Sequence, residues 1–526
     1  MTRRTSCPST VLSTLCTAAL FASAAAAQVT IQSLVLEGDS VGGVGLVTRI
    51  DNLAINDAGQ WIVEADTDNP DTEADSVLLL NGALFLREGD ALSEPAGATL
   101  DSFDTVNLNN LGNSGWNFFL DGTQGGSDDS GVYFNDQLVI QESDLSTSPD
   151  LSPGTPYIGF LEAKINDSDQ VLLMASVDDP LIASSVDRAL VILDLDAGGG
   201  LIGETVVVKE GDVLPGQVDP VPDLETGPHE FDFNNAGQAL YAITIADVAV
   251  YIDDGLIVQE GDPSPVAGRS WSSLTSPEMS LNNNGSYVLS GRLDGDTGTD
   301  TLIMSDGQKV VQEGDSLPAI APFALTGFGT GPLLIGDNDS ILWFGDWDDP
   351  DTDVDTGLFL DDQLIVQEGV TMIDGQLVDS LSGVQDGYAL SDDGTQILFE
   401  ATLADGTNGA FLATVTTGGG LTLSDPDPGV AAQDNDLTVT GATPGGVVGF
   451  IAGLADGNFP IPLCPGESFG VAAPIILGTA QADANGEATF TQFIPDAAGG
   501  QTVRFQALDL TACEVSNLVT FLFPPG

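Results

Sequence analysis

The residues of this chain best suited to chemistry are carboxylates, and their most regular run is Asp351-x-Asp353-x-Asp355-x-Gly357. Carboxylates on alternate residues of a loop are how hard cations collect oxygen ligands. Asp351, Asp353 and Asp355 are therefore the candidate metal ligands, and calcium is the candidate cofactor. The run departs from the EF-hand loop, because Thr356 stands where that loop has Gly and no Glu closes it. A solvated acidic loop is the alternative, and comparable loops occur at Asp66, Asp68, Asp71, Glu73 and Asp75 and at Asp294, Asp296 and Asp300.

Other chemistries find little support. The single histidine, His229, has no second His with which to form a transition-metal site. No nucleophile-elbow motif accompanies it. With 79 acids, two facing carboxylates are guaranteed by chance, so a glycosidase pair carries no weight from sequence. No catalytic residue is assigned. Trp61, Trp116 and Trp343 sit at equivalent strand positions and are expected in the core, whereas Trp271 and Trp347 fall outside that register and are expected at the surface.

What positions these groups is a repeat. Glu-Gly-Asp occurs at 37–39, 88–90, 210–212, 260–262 and 313–315, with degenerate copies at Glu142-Ser143-Asp144 and Glu368-Gly369-Val370. Between the copies lies Asn-x-x-Gly followed by apolar residues, at Asn56, Asn109, Asn234 and Asn282, with variants starting at Asn166, Gly336 and Ser391. A period of this length points to a propeller or an array. Asn opens a tight turn and Gly closes it with positive φ; Asp169 and Asp339 tolerate the same conformation where Gly is missing.

In the first unit, 47–55 and 60–65 read as strands around the Asn56 turn. Ser76–Leu80 and Ala83–Arg87 form a hairpin through Asn81-Gly82, repeated at Asp254-Gly255 and Asp306-Gly307. Four antiparallel strands cannot bury both faces alone, but seven such sheets around an axis can. The last unit, 396–401 and 410–416, lacks a fourth strand, and residues 30–39 look like a fourth strand without the other three. The expected fold is therefore all-β: a seven-bladed β-propeller closed by the N-terminal strand. The Glu-Gly-Asp linkers are expected to be structural, Gly permitting the turn and Asp bonding its own backbone.

Arg3 and Arg4, an apolar stretch and Ala25-Ala26-Ala27 read as a secretory signal peptide over 1–27. No later segment has the roughly 20 apolar residues of a membrane helix, so membrane insertion is not expected. Removing the signal leaves 9 − 79 = −70 charges. Nucleic acids and anionic membranes are therefore poor partners, and proteins or neutral glycans are the expected ones. The repeat domain spans 28–417. From 418 to 526 the period is lost and strands such as 436–440, 447–452 and 502–507 suggest an immunoglobulin-like β-sandwich. Cys464 and Cys513, the two cysteines outside the signal, are expected to pair, closing a loop worth roughly 4 kcal/mol.

The repeat, with Asn56, Gly59 and Val63 or Asn109, Gly112 and Trp116 at its positions, resembles the exported bacterial choice-of-anchor tandem repeat proteins over roughly 29–416. Residues 391–399 also resemble the strand-turn-strand motif of TolB-type propellers, which bind proteins. The resemblance implies a secreted or cell-surface propeller and transfers no activity. The expectation is a non-enzymatic binding or surface-assembly protein. A calcium-dependent glycan hydrolase or lyase and a purely structural envelope protein are the alternatives.

Overall fold

Short runs of β-branched and aromatic residues, cut at regular intervals by Asn, Asp and Gly, can only make short strands and tight turns, and the computed structural model contains no α-helix among its described residues. These residues are 28–526 without 183–186, 225–229, 275–277, 417–420, 444, 462–463, 465–467, 484–485, 512 and 525–526. The signal-peptide assignment and His229 lie outside them. The chain divides into two compact units, Val29–Val415 and Thr416–Gly526.

The larger unit is propeller-like: among the described residues it contains seven antiparallel sheets in succession. The second sheet is typical, with Thr99–Leu108, Ser114–Asp121, Ser130–Phe134 and Gln137–Gln141 side by side in chain order. In the fourth to seventh sheets the first strand is broken in two, as at Trp271–Ser273 and Met279–Leu281. The seventh sheet is completed from the far end of the chain. Its third strand, Asn408–Thr416, pairs with Gln28–Leu36. Glu37 N donates to Asn408 O at 2.8 Å and Ser33 Oγ to Asp374 at 2.7 Å, while Val35 is buried with Val47, Ala410 and Leu412.

The Glu-Gly-Asp linkers work as backbone joints. In all seven, the middle residue has positive φ, from 65° at Gly369 to 92° at Gly261, with Ser143 at 73° where Gly is replaced. In six of them its N–H donates to the first strand of the following sheet, as Gly89 to Leu100 O and Gly314 to Leu325 O, and in the fourth Gly211 donates to Val221 O just before that strand. The Asp carboxylate accepts from the amide three residues earlier: Leu36 to Asp39, Arg87 to Asp90, Gln141 to Asp144, Lys209 to Asp212, Gln259 to Asp262 and Gln312 to Asp315. In the seventh linker Thr371 Oγ1 takes that part for Gln367.

Between sheets the core is aromatic and aliphatic. Trp116 and Trp343 are equivalent, each donating its indole N–H to the carbonyl of a positive-φ hairpin residue, Asn135 or Asp361. Tyr241 does the same to Asp253. Trp61 is two residues nearer its turn than the register had placed it, since it faces Ile55 whereas Trp116 faces Val106. Trp271 and Trp347, expected at the surface, are each only 2% exposed. Both pack where a first strand meets the end of a second, Trp271 opposite Leu293 and Trp347 opposite Leu325, a level of the sheet the turn-based register did not reach. The fourth hairpin turns on Asp253-Asp254, one residue earlier than expected.

The smaller unit packs a three-stranded sheet (Thr422–Leu423, Gln433–Thr440, Ala488–Ile494) against a larger one built on Val447–Gly453 and Thr502–Asp509. Leu437, Val439, Phe450 and Phe505 form the core between them. Cys464 and Cys513 are disulfide-bonded, with Cα atoms 5.4 Å apart, beside Ile451, Phe469 and Leu508.

Candidate functional site

The Asn-x-x-Gly turns do more than reverse the chain. In Asn166 the side-chain oxygen accepts from Ser168 N and Gln170 N inside its own turn, while the amide nitrogen reaches the next sheet and donates to Asn234 O at 3.0 Å. The same link runs from Asn56 to Asn109 O, Asn109 to Asn166 O, Asn234 to Asn282 O and Asn282 to Gly336 O. These asparagines are 2–6% exposed, so each link satisfies buried polar groups that would otherwise cost about 1–3 kcal/mol.

The residue after each motif position is Asp or Asn in all seven turns, and these side chains form a second belt. Asp57 N donates to Asn110, Asn110 N to Asp167, Asp167 N to Asn235, Asn235 N to Asn283 and Asn283 N to Asp337. Asp337 N then donates to Asp392 O, and Asp393 N returns to Asp57. The circuit closes on its starting residue. Asp392 lies across its centre, accepting from the amides of Asn110 (2.9 Å) and Asn283 (3.1 Å), which belong to the second and fifth sheets. Burial, and then the charges of Asp57, Asp337 and Asp167, push its carboxyl up to about 7.

Behind this belt the first strands line a polar channel. One cavity of about 250 Å³ at the turn end is walled by residues of all seven sheets, among them Lys164, Asp167, Asp232, Asn283, Asp337 and Asp392. A second, of about 350 Å³, is lined by Arg49, Asp51, Asn52, Asp104, Asp386 and Glu400. Burial raises the carboxyls here: Asp51 to about 6 despite Arg49 at 2.5 Å, Glu64 to about 7 despite the Asn52 amide at 2.6 Å, and Asp104 despite Asn117. Glu278 of the fifth sheet rises to about 7 against a hydrogen bond from Gln385 of the seventh. The short 3₁₀ turn Gln385–Gly387 therefore reaches across to another sheet. Carboxyls raised by desolvation and clustered in a cavity mark a place where charge is held ready for a ligand or a reaction.

The sequence had pointed elsewhere. Asp351 and Asp353 are exposed on a loop, and their side chains and backbone serve local turns, as when Asp351 Oδ1 accepts from Asp353 N. Asp355 is half-buried, raised by burial first and offset by its own backbone N–H. Among the described residues no three His, Cys, Asp or Glu side chains gather as a metal ion would need. The belt had a sequence signal that the turn-based reading passed over, the Asp or Asn at the second position of every turn. The channel had one too: Glu162, Glu230 and Glu278 each stand four residues before a motif Asn.

Residues 16–250 match a family described as a family of unknown function, DUF7453. No curated protein matches the chain. Among solved structures, a europium-containing methanol dehydrogenase is similar at 8% identity, with 94% of this chain and 74% of that chain covered and a TM-score of 0.27.

Proposed function

We propose that this chain is an exported, non-enzymatic binding protein: a seven-bladed β-propeller closed by its own N-terminal strand, followed by an immunoglobulin-like sandwich, serving surface assembly with a protein or neutral-glycan partner. The observation that carries the reading is the closed hydrogen-bond circuit from Asp57 through Asp392 and Asp393 back to Asp57. Both repeated motifs are engaged in holding sheet to sheet, which makes the repeat a rigid scaffold and leaves the channel and the second-to-third-strand loops to meet a ligand. The dense negative charge favours hydroxyl-rich or basic surfaces over anionic ones. The disulfide suits an oxidising compartment. The likeness to exported tandem repeat proteins supports the same reading.

The test is a glycan array together with capture of partners from the surface of the producing organism, followed by chemical analysis of any bound glycan. Saturable binding with the glycan recovered intact is expected. Shortened chains or unsaturated ends in the recovered glycan would replace this reading with that of a hydrolase or lyase.

A further inference from the structure

The larger cavity is mostly acidic, with Arg49 as the one base in its lining beside Asp51, Asp104, Asp386 and Glu400. Glu162 is only 7% exposed, yet its carboxylate has no hydrogen bond from any described residue. It occupies the strand position that Asn52 fills in the first sheet, four residues before the motif Asn, and Asn52 lines the larger cavity. The charges that face it are Lys164 from its own strand, Asp386 and Asp104 from the seventh and second sheets, and Asp232 from the fourth. Lys164 is already shared, lying 3.7 Å from Asp232. Burial therefore pushes Glu162 well above the usual carboxylate range.

The Glu162 oxygens are not among the fully buried unpartnered atoms, so they keep a narrow opening through which water or a ligand can supply the donor that the protein does not. The channel carboxylates are strung along the first strands, and no three of those described meet at a point that one metal ion would occupy. What matches such a string is a flexible chain bearing several ammonium donors a few ångströms apart, each able to meet a separate carboxylate. We propose that the channel beside Asp104, Glu162 and Asp386 is a binding site for a small linear polyamine. The cavity of about 350 Å³ has room for such a molecule. The inference rests on the closed-ring binding reading, since only a closed ring turns the first strands of all the sheets toward one channel.

Isothermal titration of the full exported chain with spermidine, at pH 8 and physiological salt, tests it, with calcium chloride and maltotriose as comparison probes. One saturable spermidine site is expected, weakened at least about tenfold by Glu162→Gln and by Asp386→Asn. Asp351→Asn, on the exposed acidic loop, should leave it unchanged. If Glu162→Gln does not fold, Asp386→Asn carries the comparison. Unsaturable spermidine heat, equal weakening by Asp351→Asn, or saturable binding of calcium in place of spermidine would overturn the proposal. The ring itself is checked by returning residues 28–39 as a peptide to a chain that lacks them. Rescue without spermidine binding would leave the binding-scaffold reading standing and remove only the polyamine.

Discussion

Asp392→Asn should stabilise the repeat unit at pH 8 and do so by about half as much at pH 5. The folded protein raises this carboxyl from 3.8 to about 7, first by burial and then by Asp57, Asp337 and Asp167. A carboxyl raised by folding adds stability in full below its unfolded value near 3.8, and that stability is lost progressively as pH climbs from there through about 7. Three pKa units correspond to about 4 kcal/mol at 1.36 kcal/mol each. Solvent in the cavity and counter-ion screening reduce the expected penalty at pH 8 to about 2 kcal/mol. The amide keeps an oxygen for Asn110 and Asn283, and the backbone carbonyl that receives Asp337 N is untouched. Urea unfolding of both proteins at pH 5 and pH 8, followed by far-ultraviolet circular dichroism, gives the four free energies required. The parent should be less stable at pH 8 than at pH 5 by about 1 kcal/mol, and the variant should exceed the parent by about 2 kcal/mol at pH 8 and by about 1 kcal/mol at pH 5. A variant weaker than the parent at pH 8, or a parent that gains stability between pH 5 and pH 8, would refute the reasoning.

Asn166→Ala removes the donor to Asn234 O and the acceptor for two turn amides, so urea unfolding should show a loss of about 3 kcal/mol, whereas Asn110→Ala at the more accessible belt should cost less. Cys513→Ser opens a 49-residue separation and should destabilise the C-terminal unit by about 4 kcal/mol, leaving the transition of the repeat unit in place; calorimetry of the two transitions checks this.

The period, the turns and the missing strand were legible because each rests on residues with few alternatives. Only Gly, Asn or Asp accepts the positive φ of Gly59, Asp169 or Asp339 at low cost, so the turns announce themselves. The hairpin at Asn81-Gly82 followed for the same reason. Trp271 and Trp347 were misplaced because a register counted from one turn loses its meaning beyond a break or bulge. The first strand of the fifth sheet is interrupted, Leu274 and Glu278 lying outside any strand, and the first strand of the sixth shifts register between Leu325 and Gly327. The channel was harder to see. Glu162 keeps the four-residue spacing to its motif Asn, but Asp104 and Asp386, whose charges face it from the second and seventh sheets, fall outside that spacing and resemble the many carboxylates that face water. The acidic loop at Asp351–Asp355 drew attention through regular spacing, but spacing along a chain does not make side chains converge.

The central claim, that the ring is closed by its own N-terminal strand, is tested most directly by strand complementation. A chain lacking residues 28–39 loses the partner of Asn408–Thr416, the Glu37 N–H to Asn408 O bond and the buried Val35. It should present an open sheet edge and aggregate. A synthetic peptide of residues 28–39 should bind it one to one by titration calorimetry and restore the parent melting temperature, and a peptide with Val35→Asp should do neither. A truncated chain as stable and soluble as the parent, and indifferent to the peptide, would contradict the closed ring.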